Sequence, residues 1–94
     1  MAQSKTDILQ LLASGVYHAV QRMDDRSGDD IRLRREDGVR AEIDNYPYRV
    51  NQIPAYMFDE FLRDGLIHED GTDDQGGKIF RSTDKARKKL SRAA

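Results

Sequence analysis

The stretch Ile53-Pro54-Ala55-Tyr56-Met57-Phe58-Asp59-Glu60-Phe61-Leu62-Arg63-Asp64-Gly65-Leu66-Ile67 decides how the chain is read. Ile53, Met57 and Phe61 recur every four residues, with Phe58 and Leu62 beside them, which predicts a helix with one apolar face. Asn51 stands where a helix cap is expected. Pro54 is tolerated in a first turn, whose N–H groups have no intrahelical partner. Asp64-Gly65 ends the helix, because glycine takes the left-handed C′ conformation at least cost. Leu66-Ile67-His68 then opens a strand, Asp70 to Gly77 is a polar loop, and Lys78-Ile79-Phe80-Arg81 brings the chain back. Ser82 or Thr83 is placed to cap a closing helix through Ala86 and Leu90.

Upstream, Ser4 or Thr6 can cap a first helix whose buried side is Ile8, Leu9, Leu11 and Leu12, with Gly15 ending it. Val16 to Met23 changes to strand alternation: Tyr17, Ala19, Gln21 and Met23 on one side, His18, Val20 and Arg22 on the other. After the polar run Asp24 to Asp30, Ile31 and Leu33 point inward and Arg32 and Arg34 outward. Glu36-Asp37-Gly38 reads as a hairpin turn, since Asp-Gly supplies positive φ. Val39, Ala41 and Ile43 continue the inward face, so the middle of the chain is expected to be a three-stranded antiparallel meander. Asn45-Tyr46-Pro47-Tyr48 is a connector. The whole is expected to be one α+β domain over residues 1–94, three helices with a small antiparallel sheet.

The net charge of −1 over 94 residues conceals strong segregation. Asp59, Glu60, Asp64, Glu69, Asp70, Asp73 and Asp74 face Arg63 alone. Lys78, Arg81, Lys85, Arg87, Lys88, Lys89 and Arg92 face Asp84 alone. Such a map speaks to partners rather than to fold. The absence of cysteine excludes disulfides, thiolate metal sites and a cysteine nucleophile. No secretory pattern and no membrane-length apolar run is read, so a cytoplasmic protein without a membrane partner is expected.

The segment from Ile53 to Leu90 resembles the winged helix–turn–helix superfamily. The resemblance rests on Phe61-Leu62-Arg63-Asp64-Gly65-Leu66-Ile67, on the wing loop Asp70 to Gly77, and on Phe80-Arg81-Ser82-Thr83-Asp84-Lys85-Ala86-Arg87. It implies a winged-helix-like fold and a small bacterial DNA-binding or protein-binding module. Two departures stand out. DNA-binding members place two consecutive helices before the wing, the second in the major groove, whereas strands fill that space here. The single helix before the wing also carries Asp59, Glu60 and Asp64, which phosphates would repel. A helix, the strand entry Gly15-Val16-Tyr17-His18, a hairpin ending Arg35-Glu36-Asp37-Gly38, a helix and Gly65-Leu66-Ile67 follow in an order similar to that of the YjhX-like small bacterial proteins. This resemblance implies a toxin that binds and inhibits a topoisomerase.

The nucleic-acid reading uses Arg32, Arg34 and Arg40 on the outer strand face, Lys78 and Arg81 on the returning strand, and Lys85, Lys88 and Lys89 on the last helix, against double-stranded DNA. Solvated charge, with Arg32 or Arg34 paired across strands to Glu42 or Asp44, is the plain alternative. The protein-binding reading uses Tyr56, Asp59, Glu60, Arg63 and Asp64, the carboxylates partly imitating phosphate charge. Tyrosine also suits a binding anchor, and Tyr46, Tyr48 and Tyr56 bracket Pro47 and Pro54. His18 and His68 lack a companion at metal-ligand spacing, and neither acidic loop matches a calcium-loop pattern. No catalytic residues, metal or cofactor are expected, and the protein reads as a non-enzymatic binding module. Ile8, Leu12 and Leu90 could serve a homodimer or simply the core.

Overall fold

A computed structural model describes residues 4–24, 28–41, 43–45, 48 and 51–93. Its element order is α1 (Lys5–Ala13), β1 (Tyr17–Asp24), β2 (Gly28–Arg35), α2 (Ala55–Arg63), β3 (Ile67–Thr72), β4 (Lys78–Ser82) and α3 (Asp84–Ala93). The strands form one antiparallel sheet in the order β2-β1-β4-β3. Among the described residues the fold is therefore α+β, with three helices and a four-stranded sheet. No described helix is long and apolar enough to cross a membrane.

The register explains the core. Leu33, Ala19 and Phe80 stand side by side across β2, β1 and β4, so one sheet face presents a continuous apolar row. Ile8, Leu9 and Leu12 of α1, Met57, Phe58 and Phe61 of α2, and Ala86 of α3 close over it. Phe58 meets Phe80 edge to face, with ring centroids 4.9 Å apart and planes at 88°, the geometry that ring quadrupoles favour. Ile8 and Leu12 are buried in this core and Leu90 packs against it, so these residues are spent within one chain.

The helix ends follow from their residues. Ser4 accepts a hydrogen bond from the Asp7 amide at 3.1 Å while Asp7 accepts from the Ser4 amide at 3.3 Å, a reciprocal capping box. At the end of α2 the Leu66 amide donates to Phe61 O (2.9 Å) and the Gly65 amide to Leu62 O (3.1 Å), with Gly65 at φ +70°. That pairing is a Schellman closure, and Leu66 falls back into the core beside Phe61. Thr83 binds the next turn to this one: its amide donates to Leu66 O and its hydroxyl to Gly65 O, at 3.0 and 2.7 Å.

The middle of the chain departs from the expected meander. The turn at Glu36-Asp37-Gly38 forms, with Gly38 at φ +80°, but Val39, Ala41 and Ile43 make no strand. The outer edge of β2 is taken by residues 51–53 instead. The Leu33 amide donates to Asn51 O, the Ile53 amide donates to Ile31 O, and Arg32 and Gln52 form an isolated bridge. Asn51 is the cause, and its role as a helix cap is likewise corrected. At φ +66° it accepts from the Ile43 amide at 2.8 Å and donates from Nδ2 to Ala41 O at 2.5 Å. A side chain thus occupies backbone groups that a strand ladder would have used. Asn45, 1% exposed, donates to Gln52 O. Ala41 and Ile43 are buried as the alternation required, through this clamp rather than through a strand.

The wing is shorter in loop and longer in strand than expected, since β3 runs to Thr72. Asp73 closes its turn by accepting from the Gln75 and Gly77 amides (3.0 and 2.6 Å) and from Arg22 Nη2 of β1 (2.7 Å). The residues Glu42, Tyr46, Pro47, Arg49 and Val50, and part of the Asp24 to Asp30 run, lie outside the described residues.

Candidate nucleic-acid interface

Helix α3 sorts its side chains by period. Ala86 is fully buried and Leu90 partly so, four apart on one face. Lys85, Lys88, Lys89 and Arg92 fall at i, i+3, i+4 and i+7 on another. Together with Arg63, Asp64 and Leu66 they line a cleft of about 630 Å³ where α2 hands the chain to β3. The Lys85 side chain lies over Gly65, beside the carbonyl end of α2, where a cation is favoured by the helix dipole. Arg63 comes within 3.5 Å of Asp64. The four α3 cations have no carboxylate partner among the described residues.

A second basic cleft, of about 410 Å³, lies at the β2 edge. Its described lining includes Arg32, Arg34, Arg35 and Arg40 and no acidic residue. Arg34 and Arg40 lack an ion-pair partner among the described residues. Arg32 is held by Asp30 on its own strand, Nε to both carboxylate oxygens at 3.0 and 3.1 Å. Of the expected cross-strand pairings, none to Asp44 forms, and Glu42 lies outside the described residues. Arg35 is bonded through Nε and Nη2 to Asp37, which holds the Asp37 carboxyl below its ordinary range.

The remaining basic candidates are engaged elsewhere. Arg81 donates from Nε and Nη2 to Glu36, each at 2.9 Å, and from Nη1 to Asp70 Oδ2 at 2.8 Å. His18 Nδ1 meets Glu36 Oε1 at 2.9 Å. The Arg81 hydrogen bonds above all hold the Glu36 carboxyl below the ordinary carboxylate range, with burial opposing and the His18 charge assisting. The guanidinium of Arg81 is in turn held more firmly protonated by Glu36 and Asp70. Lys78 reaches Glu69 at 3.8 Å, and Arg87 pairs with Asp84.

The eight basic candidates are therefore not one surface. Lys85, Lys88 and Lys89 share the α3 cleft, Arg32, Arg34 and Arg40 share the β2-edge cleft, and Arg81 and Lys78 sit in ion pairs on β4. Sequence reasoning missed Arg63 as a neighbour of the α3 lysines, and it missed Arg35 as a member of the β2-edge group. The Asp-Gly turn at residues 37–38 was the available signal for the second.

On α2 the protein-binding candidates separate as well. Glu60 is bound to Lys5 of α1 at 2.6 Å, whereas Asp59 has no ion pair among the described residues. Tyr56 is 60% exposed and Leu62 39%, both on the helix side away from the core. Among the described residues no group of three or more His, Asp or Glu side chains could hold a metal ion. Compared with protein-family models, with curated proteins and with solved structures, the chain matches none.

Proposed function

We propose that this chain is a small non-enzymatic module that binds double-stranded DNA through the α3 cleft, in the manner of a regulator working in the cytoplasm. One observation carries the reading: Lys85, Lys88, Lys89 and Arg92 converge on a single cleft with no carboxylate partner among the described residues, while the cations of β4 are neutralised. Unpaired surface cations release condensed counterions from a duplex and draw affinity from that release. The order of the sheet supports a winged-helix-like reading, because β1 lies next to the β3–β4 hairpin and α2 directly precedes it. The departure lies in β2 and the clamp at Asn51, which stand where a further helix would precede α2. Reading therefore falls to α3 rather than to the acidic α2.

A fluorescence-anisotropy titration with a generic labelled duplex at about 50 and 200 mM salt tests this. Binding at low salt that weakens by orders of magnitude at high salt, and that Lys88→Glu reduces, is the expected result. A duplex ignored even at low salt would overturn it.

The exposed side of α2 favours a second reading. Tyr56 and Leu62 leave apolar surface uncovered beside Asp59, which has no ion pair among the described residues, the composition of a protein-binding anchor. A protein partner, such as a nucleic-acid enzyme that this module inhibits, would then dock on Tyr56, Asp59 and Arg63. Under that reading Asp59→Lys abolishes the interaction and Lys88→Glu does not.

A further inference from the structure

We infer that the β2-edge cleft is a separate oxyanion site that takes a small phosphate ester, of the size of a mononucleotide. It shares no residue with the α3 cleft, and β2 and β3 are the two outer strands of the sheet. The inference therefore stands apart from duplex binding.

Three features carry it. The first is charge: four arginines and no described acid line one cleft, and the guanidinium groups of Arg34 and Arg40 have no ion-pair partner among the described residues. Asp30 and Asp37 balance Arg32 and Arg35, so the two remaining guanidinium groups leave room for an external anion. A planar guanidinium fork matches phosphate oxygens two at a time, which an ammonium does not.

The second is rigidity. The wall opposite β2 is fixed by hydrogen bonds that have nothing to do with a ligand. Asp37 accepts from the Val39 amide at 2.9 Å, Gly38 turns the chain at φ +80°, and Asn51 holds Ala41 O. Asp30 and Asp37 steady Arg32 and Arg35 in the same way. A site already braced loses less conformational freedom on binding.

The third is shape. The cleft is far larger than a lone phosphate needs, and at about 410 Å³ it falls within the range of small-molecule pockets. Val39 is 59% exposed at its wall, an apolar surface against which the flat ring of a nucleobase can rest. Phosphate on Arg34 and Arg40 and a ring on Val39 together describe a nucleoside phosphate better than a free oxyanion.

The phosphate could come from a small ester or from the backbone of a nucleic acid, and the experiment separates them. A labelled nucleoside monophosphate, the same nucleoside without phosphate, and the labelled duplex are each titrated into the wild-type chain, Arg34→Gln, Arg40→Gln and Lys88→Glu. The monophosphate is expected to bind and the nucleoside not. Arg34→Gln and Arg40→Gln are each expected to weaken the monophosphate by about tenfold or more, the loss of a charge-assisted pair. Lys88→Glu should leave it unchanged. Neither arginine carries a structural ion pair among the described residues, so both variants should fold, as a thermal melt would confirm. No monophosphate binding by the wild type at about millimolar concentration would overturn the inference. So would binding indifferent to both arginines, or duplex affinity that falls with Arg34→Gln as far as monophosphate affinity does. Failure of the duplex reading shows only in the duplex titrations of the wild type and Lys88→Glu, and leaves the monophosphate results standing.

Discussion

Arg81 of β4 and Glu36, the residue after β2, are joined by two parallel hydrogen bonds of 2.9 Å across 45 residues of sequence. His18 of β1 and Asp70 of β3 extend the pair to 2.9 and 2.8 Å. One ion network thus touches the line of every strand.

The network predicts a specific acid sensitivity. The carboxyl of Glu36 is held below its ordinary value in the folded chain, so its contribution is fully present above the unfolded value and is lost as pH falls through the folded one. Urea unfolding between about pH 5 and pH 3 should show stability falling. In Glu36→Gln that fall should be shallower, because the titrating group is gone. Both side chains are about one-third exposed, so Arg81→Met should cost only about 1 kcal/mol at neutral pH. A double-mutant cycle with Glu36→Gln should return most of that as coupling.

Gly77 should tolerate no side chain. A Cβ there would stand 2.7 Å from Val20 Cγ1 and 3.1 Å from Arg22 Cγ, closer than packed atoms allow. Gly77→Ala is expected to destabilise by about 1–3 kcal/mol, as overpacking does. Val20→Ala combined with it should cost less than the sum of the two single changes, measured by chemical denaturation. Strict additivity would show that the wing does not press on β1.

Asn51 should matter in two separable ways. Asn51→Gly keeps the positive φ but loses both clamp bonds, leaving the buried Ile43 amide and Ala41 carbonyl without them, at about 2–4 kcal/mol. Asn51→Ala adds the cost of an alanine in the left-handed region, about 1 kcal/mol more. Equal losses would place all of the effect in the hydrogen bonds.

The α3 cations should matter for binding and not for folding. Lys88 and Lys89 are exposed and carry no ion pair among the described residues, so Lys88→Glu and Lys89→Glu should shift the melting temperature by less than about 3 °C. Each should also lower the slope of log affinity against log salt by about one, the signature of one lost phosphate contact. An unchanged slope with weakened binding would point to a contact other than phosphate.

Much of the α+β layout was legible because it rests on local rules. The four-residue recurrence of Met57 and Phe61, the left-handed Gly65 and the cap at Ser4 each act within a few residues, and the structure keeps them. Ile53, read as the first residue of the helical face, lies on the β2 edge instead, and α2 starts at Ala55. Alternation in β1 and β2 likewise put Ala19 and Leu33 on the buried face. The third strand failed for a reason no periodicity can show. Ala41 and Ile43 are buried as the alternation requires, but Val39 stands exposed with its amide on Asp37. Asn51, eight residues beyond Ile43, reaches back to the Ile43 amide and the Ala41 carbonyl. The basic residues could be counted from sequence, yet their grouping could not. Whether Arg81 is free depends on Glu36, and whether Arg63 shares a cleft with Lys88 depends on where α2 ends against α3.

The sequence by itself determined which residues are apolar at which period, where helices start and stop, and that acid and base occupy different segments. Those are properties of neighbours along the chain, set by backbone sterics and by the hydrophobic pattern. Only the tertiary structure decided which charges are spent and which remain. An ion pair needs two groups within a few ångströms, and residues 36 and 81 reach that distance only after four strands have found their order. The two clefts with uncommitted cations are what that pairing leaves over.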